Sequence, residues 1–521
     1  MALSATPAEL AAAMNLAAVP VSHWLVVAPV VLPLAGGAAL VALRHRFSGQ
    51  KGLIPMLAIA LLVLTVAANA GLLSLVLAGG PLTMVMGRWL PPFGIAFTVD
   101  VLGAAMALAA SLATLMASIL ALGEGAPPAP AYRPQPFHLL LLAGVSGAFL
   151  TGDIFNLYVW FEVLLISSFG LLSLGSGRAE IDGTLKYGFL NLIGTTLFLI
   201  AVGLIYGLTG TLNMADLATR LPALQGAPLT ALSALFLFAF AMKAAAFPLQ
   251  AWLPAAYHTP RASTAGLFAA LLTKVGIYAI LRVLGMLLTG PLESLSLLVA
   301  VVAAATMLFG ALGTLAERNL KRLPGFVLIS GIGTMLAGIA LNSPGGSTGT
   351  IFYALQSMGL MLALYAALFE AARLGGEADI ARGGGLHGRH PLLSFAILSL
   401  LFAASGLPPF SGFWPKALIL KAALDIGAWW LAGALLVSGF LMTIGLTRAY
   451  MIGFWRPAAK AEHPAAERAS GPVTGVVLVL ALAIAAAGLY PEPLLDLSGR
   501  AAAGLADPAA YVQSVFPGGQ P

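Results

Sequence analysis

Four lysines fall inside segments otherwise apolar enough for lipid: Lys243, Lys274, Lys416 and Lys421. Glu162 lies in FNLYVWFEVLLISSFGLL, about nine residues into another such run and, at ~1.5 Å per residue, far from either surface. Glu370 sits near the end of a further run. An ionisable side chain at bilayer depth costs roughly 2.5–3.5 kcal/mol or more, so its presence points to function. Lys421 and Glu370 are close enough to segment ends to snorkel to the interface. Glu162 and Lys243 can form a structural pair, but buried pairs are weak stabilisers because desolvation offsets attraction. Lys274 has no second mid-segment acid to neutralise it, and a lone buried ammonium exchanges its proton more readily than one held by a counter-charge. Titratable groups spaced along a nonpolar path suit a proton or cation relay.

Two of the segments carrying these lysines are interrupted by proline. AMKAAAFPLQAWLP (241–254) places Pro248 and Pro254 just after Lys243, and GLPPFSGFWP (406–415) places Pro408 and Pro409 just before Lys416. Proline removes a backbone donor and breaks a helix, which the bilayer tolerates only where protein or water satisfies the freed groups. An unwound span presents free N–H and C=O groups and opposed half-helix dipoles at the midplane, where they bind water and ions. Polar neighbours stand nearby: His258, Thr259, Ser263, Thr264, Thr273, Ser405 and Ser411. His258 lies by the end of its segment and is either a proton-uptake group or a loop residue.

The elements that must position these groups are membrane helices. The chain has 521 residues, of which 60% are apolar and 8% charged; a soluble domain carries roughly 25% charged residues. Spans of ~20 apolar residues are expected at 24–43, 53–78, 99–122, 137–152, 154–175, 184–208, 229–256, 262–288, 292–316, 323–341, 348–373, 391–425, 428–454 and 472–490. This is a single all-α polytopic membrane domain of about fourteen spans, with 229–256 and 391–425 broken. PLTMVMGRWLPPFGIAFT (81–98) reads as a hairpin on the membrane surface, and the tail from Pro491 reads as short.

Alternating the loops puts seventeen basic residues on one side, among them Arg44, Lys51, Arg261, Arg318, Lys321, Arg322 and Lys460. Four fall on the other side: Arg88, Arg220, Arg282 and Arg500. The positive-inside rule makes the rich side cytoplasmic and both termini outward. Before Arg44 the only charge is Glu9, so the N-terminus lacks a basic leader. With no cysteine, cysteine-ligated iron–sulfur clusters, disulfides and zinc–thiolate sites are excluded within the chain. No cofactor or metal motif is present.

AMKAAAFPLQAWLPAAYHTPRASTAGLFAALLTKVGIYAILR (241–282) resembles the signature of the antiporter-like subunits shared by respiratory complex I, membrane-bound hydrogenases and Mrp-type cation/proton antiporters. GLPPFSGFWPK (406–416) and NLKRLPGFVLISGIG (319–333) resemble further blocks of that family. DIFNLYVWFEVLLISSFGLL (153–172) and GRWLPPFGIAFTVD (87–100) are most similar to the D-type subunits of the Mrp branch. The similarity runs from about 85 to 455.

The resemblance implies two inverted five-helix repeats, about 137–288 and 323–454, with the seventh and twelfth spans broken and peripheral helices at 24–122 and 472–490. It implies that Glu162 modulates Lys243, that Lys274 is the central relay, and that Lys416 exchanges protons with the outer half-channel. It implies a subunit of a hetero-oligomeric monovalent cation/proton antiporter of the bacterial inner membrane, Na⁺ being the expected cation and other membrane subunits the partners. The alternative is a proton-pumping subunit of a complex I-like or hydrogenase-linked redox enzyme. A third is a scaffold that has lost transport, which the retained lysines argue against.

Two departures from the family stand out. The helix at 348–373 carries Gln356, Ser357 and Tyr365 where His or Lys is usual, which interrupts a titratable wire between Lys274 and Lys416. Arg261 stands in TPRAST, where its charge would disfavour protonation of His258.

Overall fold

A computed structural model describes residues 21–43, 46, 52–87, 89, 91–125, 133–175, 177–224, 227–457 and 468–517. Glu9, Arg44, Lys51, Arg88 and Lys460 of the charge count lie outside them. Helices run in the order α1 (Ala28–Leu43), α2 (Leu53–Gly79), α3 (Val101–Leu120), α4 (Gln135–Leu150), α5 (Ile154–Ser173), α6 (Arg178–Thr209) and α7 (Met214–Arg220). They continue as α8 (Ala227–Ala244), α9 (Trp252–Ala256), α10 (Ala262–Ala279), α11 (Thr289–Ala316), α12 (Leu323–Ala340) and α13 (Pro344–Gly375). The last are α14 (Leu386–Arg389), α15 (Pro391–Ser405), α16 (Phe413–Asp425), α17 (Trp429–Tyr450), α18 (Gly471–Leu489), α19 (Glu492–Ala506) and α20 (Ala509–Val515).

Among the described residues, ten helices are long and apolar enough to cross a membrane, and four apolar helices are shorter. The two expected breaks are present: α8 and α9 are separated by 245–251, and α15 and α16 by 406–412. α10, α12 and α13 are almost wholly buried. They form the core against which the broken segments pack. α2, α6, α11, α17 and α18 turn large apolar side chains outward, as lipid-facing helices do. Buried polar caps fix where spans begin. Asp100 accepts from Gly103 N at α3, and Asp153 from Asn156 N at α5.

The fold is not purely helical. β1 (Leu82–Val85) and β2 (Ala96–Val99) pair antiparallel, Leu82 opposite Val99, forming the expected hairpin. It sits at one end of the bundle with the start of α3 and the ends of α4 and α10; Arg261, Lys321 and Arg373 lie at the other, basic end.

Three expectations are corrected. The tail from Pro491 is not a loose end: α19 and α20 pack under the hairpin end, burying Leu505 and Tyr511. Their apolar residues are spaced for one face, too sparse to register as a span. Arg282 is not in an outer loop. It belongs to a π-helical extension of α10 (Ile280–Leu287) and is fully buried against Asp100. Glu370 does not snorkel. It is 4% exposed, chelated by Arg373 and bonded by Ser470 N, because the start of α18 covers it. Lys421 is exposed and pairs with Asp425.

Candidate functional site

α8 ends one residue after Lys243. Ala245 takes a left-handed conformation, φ 62, that terminates the helix. Backbone groups freed by the break find local partners: Ala246 N donates to Ala241 O, and Phe247 N to Thr306 Oγ1 at 3.0 Å. Pro248 lies in the unwound stretch. Pro254 lies in the first turn of α9, where a missing N–H costs nothing. The second break opens the same way. Gly406, φ 84, follows α15, Pro408 and Pro409 occupy the unwound stretch, and Pro415 stands in the first turn of α16. Pro409 and Pro415 have the spacing of Pro248 and Pro254. In that alignment Lys243 corresponds to Ala404, and Lys416 to Ala255.

The lysines occupy different environments. Lys243 is 3% exposed, and its Nζ has no hydrogen-bond partner. It stands 5.7 Å from the Tyr187 ring centroid and 6.0 Å from that of Phe161, a cation–π cradle. Glu162 acts on it electrostatically without a contact ion pair. That carboxylate is half-buried on α5, one turn from Tyr158. Lys274 is fully buried and donates to Ala269 O at 2.7 Å. α10 and α8 touch through Gly276, where a Cβ would lie 2.7 Å from Ala244 N. Lys416 crosses its break to donate to Ser405 O at 2.8 Å and Ala404 O at 3.2 Å. It thus neutralises the negative end of the α15 dipole. Its head reaches the carbonyl at the position that Lys243 occupies in the first break.

The helix without His or Lys, α13, serves both breaks. Gln356 accepts from Ser411 Oγ at 3.4 Å in the second break, and its Nε2 is left without a partner. Tyr365 reaches the start of α12 at Gly325, which also abuts Pro254 of the first break. Ser357 turns back to Ala354 O.

At the basic end, His258 Nδ1 lies 2.9 Å from Pro254 O. Burial holds its pKa below the usual value, and Arg322 and Lys321 push the same way. Arg261 does not act on it as expected, because its guanidinium turns to Gly125 O. Beside Arg261, Glu124 accepts from Ser263 N and Oγ at the head of α10, and burial raises its pKa. These two line a cleft of about 590 Å³ together with Lys321, Glu370, Arg373 and Arg468.

Sequence reasoning missed Glu124, His138 and the Asp100–Arg282 pair. His138 is fully buried on Ser118 of α3. Its only sequence signal was an ionisable type one residue inside the start of an expected span.

Residues 151–443 match the family described as NADH:quinone oxidoreductase/Mrp antiporter, transmembrane. The chain is 33% identical to the D component of the Na(+)/H(+) antiporter of Alkalihalophilus pseudofirmus over 94% of its own length and 99% of that protein. It superposes on a chain of the Mrp complex from Dietzia sp. with a TM-score of 0.87 and 31% identity, covering 95% of this chain and 100% of that one. A chain of the membrane-bound sulfane sulfur reductase, an archaeal respiratory membrane complex, gives 0.86 at 28% identity, covering 95% and 100%.

Proposed function

Because the chain belongs to the NADH:quinone oxidoreductase/Mrp antiporter family, and within it groups with the D-type antiporter subunits, we propose that it is the proton-translocating D-type subunit of a multisubunit Na⁺/H⁺ antiporter. The observation that carries this reading is the trio Lys243, Lys274 and Lys416. Lys243 and Lys274 are buried in the bundle and Lys416 is half-buried across its break; two of the three stand at broken helices, and no acid among the described residues touches any of them. Such ammonium groups can change charge at modest cost, and neighbours can drive the change.

In this reading His258 takes up protons at the basic end. Glu162 tunes Lys243 from a distance, Lys274 passes protons between repeats, and Lys416 exchanges them with the opposite side. With no His or Lys on α13, water held by Gln356 and Ser411 links Lys274 to Lys416. The fourteen-span arrangement has inverted repeats at about 137–288 and 323–454, supported by the matching construction of the two breaks. The peripheral helices are 24–122 and 472–490. The basic end faces the cytoplasm of a bacterial inner membrane, with both termini outward. Glu162 is half-buried on the chain's own surface; a carboxylate facing lipid is costly, so a neighbouring membrane subunit is expected to cover it.

Gentle purification from native membranes, with mass spectrometry of the co-purifying chains and Na⁺/H⁺ exchange assayed in the reconstituted complex, tests the proposal. Small membrane subunits and a large homologue, with Na⁺-dependent proton movement, are expected. Co-purifying flavin or iron–sulfur proteins would replace it with the redox-driven pump.

A further inference from the structure

In the first repeat, buried polar atoms without a partner gather around the break, and a fully partnered cluster stands at the far end of α10. Around the first break, Lys243 Nζ, Gln250 Oε1, Trp252 Nε1, Tyr257 OH and Thr273 Oγ1 are buried without a protein partner. Polar atoms in that position are satisfied by water. Beyond Lys274, one cluster on α10 differs in having its side-chain polar atoms partnered. Lys274, Tyr278 and Arg282 follow one another at four-residue spacing on one face of the helix. Arg282 lies about 12 Å beyond Lys274 at ~1.5 Å per residue.

Arg282 donates from Nη1 and Nη2 to the two carboxylate oxygens of Asp100, at 2.8 and 2.7 Å, and from Nε to Tyr278 OH at 3.2 Å. Tyr278 OH in turn donates to Phe149 O at 2.7 Å. The guanidinium lies 5.3 Å from the Tyr511 ring and 5.4 Å from the Tyr278 ring. No side-chain polar atom of Asp100, Tyr278, Arg282 or Tyr511 is buried without a partner. The cluster draws on α3, α4, α10 and α20, and therefore ties the C-terminal helices to the relay helix.

We propose that this cluster is a proton seal. It closes the end of α10 beyond Lys274, so that a proton reaching Lys274 passes sideways toward Lys416 and does not leave along α10. A guanidinium stays charged at every physiological pH. Held in the bidentate pair, the guanidinium has no lone pair with which to take up a proton. Every side-chain polar atom of the cluster itself is partnered, so the cluster offers no free group to seat a bridging water. The inference rests on the reading of Lys274 as a relay.

The test uses the intact complex in proteoliposomes and follows the decay of an imposed pH gradient with no Na⁺ present. Asp100→Asn combined with Arg282→Gln removes both charges together, leaving neither stranded. The double variant is expected to lose the gradient faster than wild type, and adding Lys274→Ala in that background is expected to restore retention. An assembled double variant that holds the gradient like wild type would overturn the seal. So would a leak that persists without Lys274. Should the double variant fail to assemble, Arg282→Lys, which keeps the charge but loses the bidentate pair, is judged by the same two readings. Gradient decay needs no exchanged cation, so absence of Na⁺ exchange in wild type would overturn the functional reading alone.

Discussion

Lys274 is the residue on which transport should depend most. Its side chain is enclosed on the central helix, and its one bond is to a carbonyl of the same helix. It holds no two helices together, so Lys274→Ala should assemble normally and abolish proton-coupled transport, measured as Na⁺/H⁺ exchange in everted vesicles. Wild-type exchange by an assembled variant would refute the relay. Glu162→Gln should cause a partial loss in the same assay, because Glu162 reaches Lys243 only through the field and not through a contact. These residues were legible in the sequence because an ionisable type deep in an apolar run is rare enough to notice. Arg282 was not legible for the same reason inverted. It lies near the end of its span, where an arginine ordinarily reaches the interface. Its partner Asp100 is 182 residues away in sequence, and no local pattern announces a pair of that separation.

At the level of helices, proline and glycine set the geometry that the lysines need. The prolines of both breaks were readable because nothing else in a membrane span explains them. Their exact use was not: Pro254 and Pro415 begin half-helices, whereas Pro248, Pro408 and Pro409 occupy the unwound stretches. α19 and α20 escaped notice because an amphipathic helix lying against the bundle has neither the length nor the uniform apolarity of a span. Gly276 matters for a contact no sequence pattern marks. It lets α10 lie directly on the end of α8, beside Lys243, and a side chain there would collide with backbone at Ala244 N and Phe240 O. Backbone cannot swing aside as a flexible side chain can. Gly276→Val should therefore separate the two lysine-bearing helices at a cost of about 1–3 kcal/mol, the usual range for overpacking. The expected outcome is a lower unfolding temperature in detergent together with reduced exchange. A variant with unchanged stability and rate would show that the helix contact is dispensable.

Across the whole molecule, charge distribution decides which way the relay points. The basic residues that cluster at one end were countable from sequence, and the described ones lie at the end opposite the hairpin, α19 and α20. The proposed sidedness rests on the positive-inside rule, and with it the direction in which His258 would load and the proposed seal at Arg282 would retain. The chain has no cysteine, so single introduced thiols report sidedness without background. Gly290 lies at the start of α11, at the hairpin end; Gly388 lies in α14, at the basic end. Both are exposed, with open space where a side chain would stand. A membrane-impermeant thiol reagent should label Gly290→Cys in intact cells and Gly388→Cys only after permeabilisation. The converse pattern would reverse the chain in the membrane. His258 would then take up protons from outside, and the cluster at Asp100 and Arg282 would hold back protons on the cytoplasmic side. The same lysines would still form a relay, but the half-channels assigned to the first and second repeats would exchange roles.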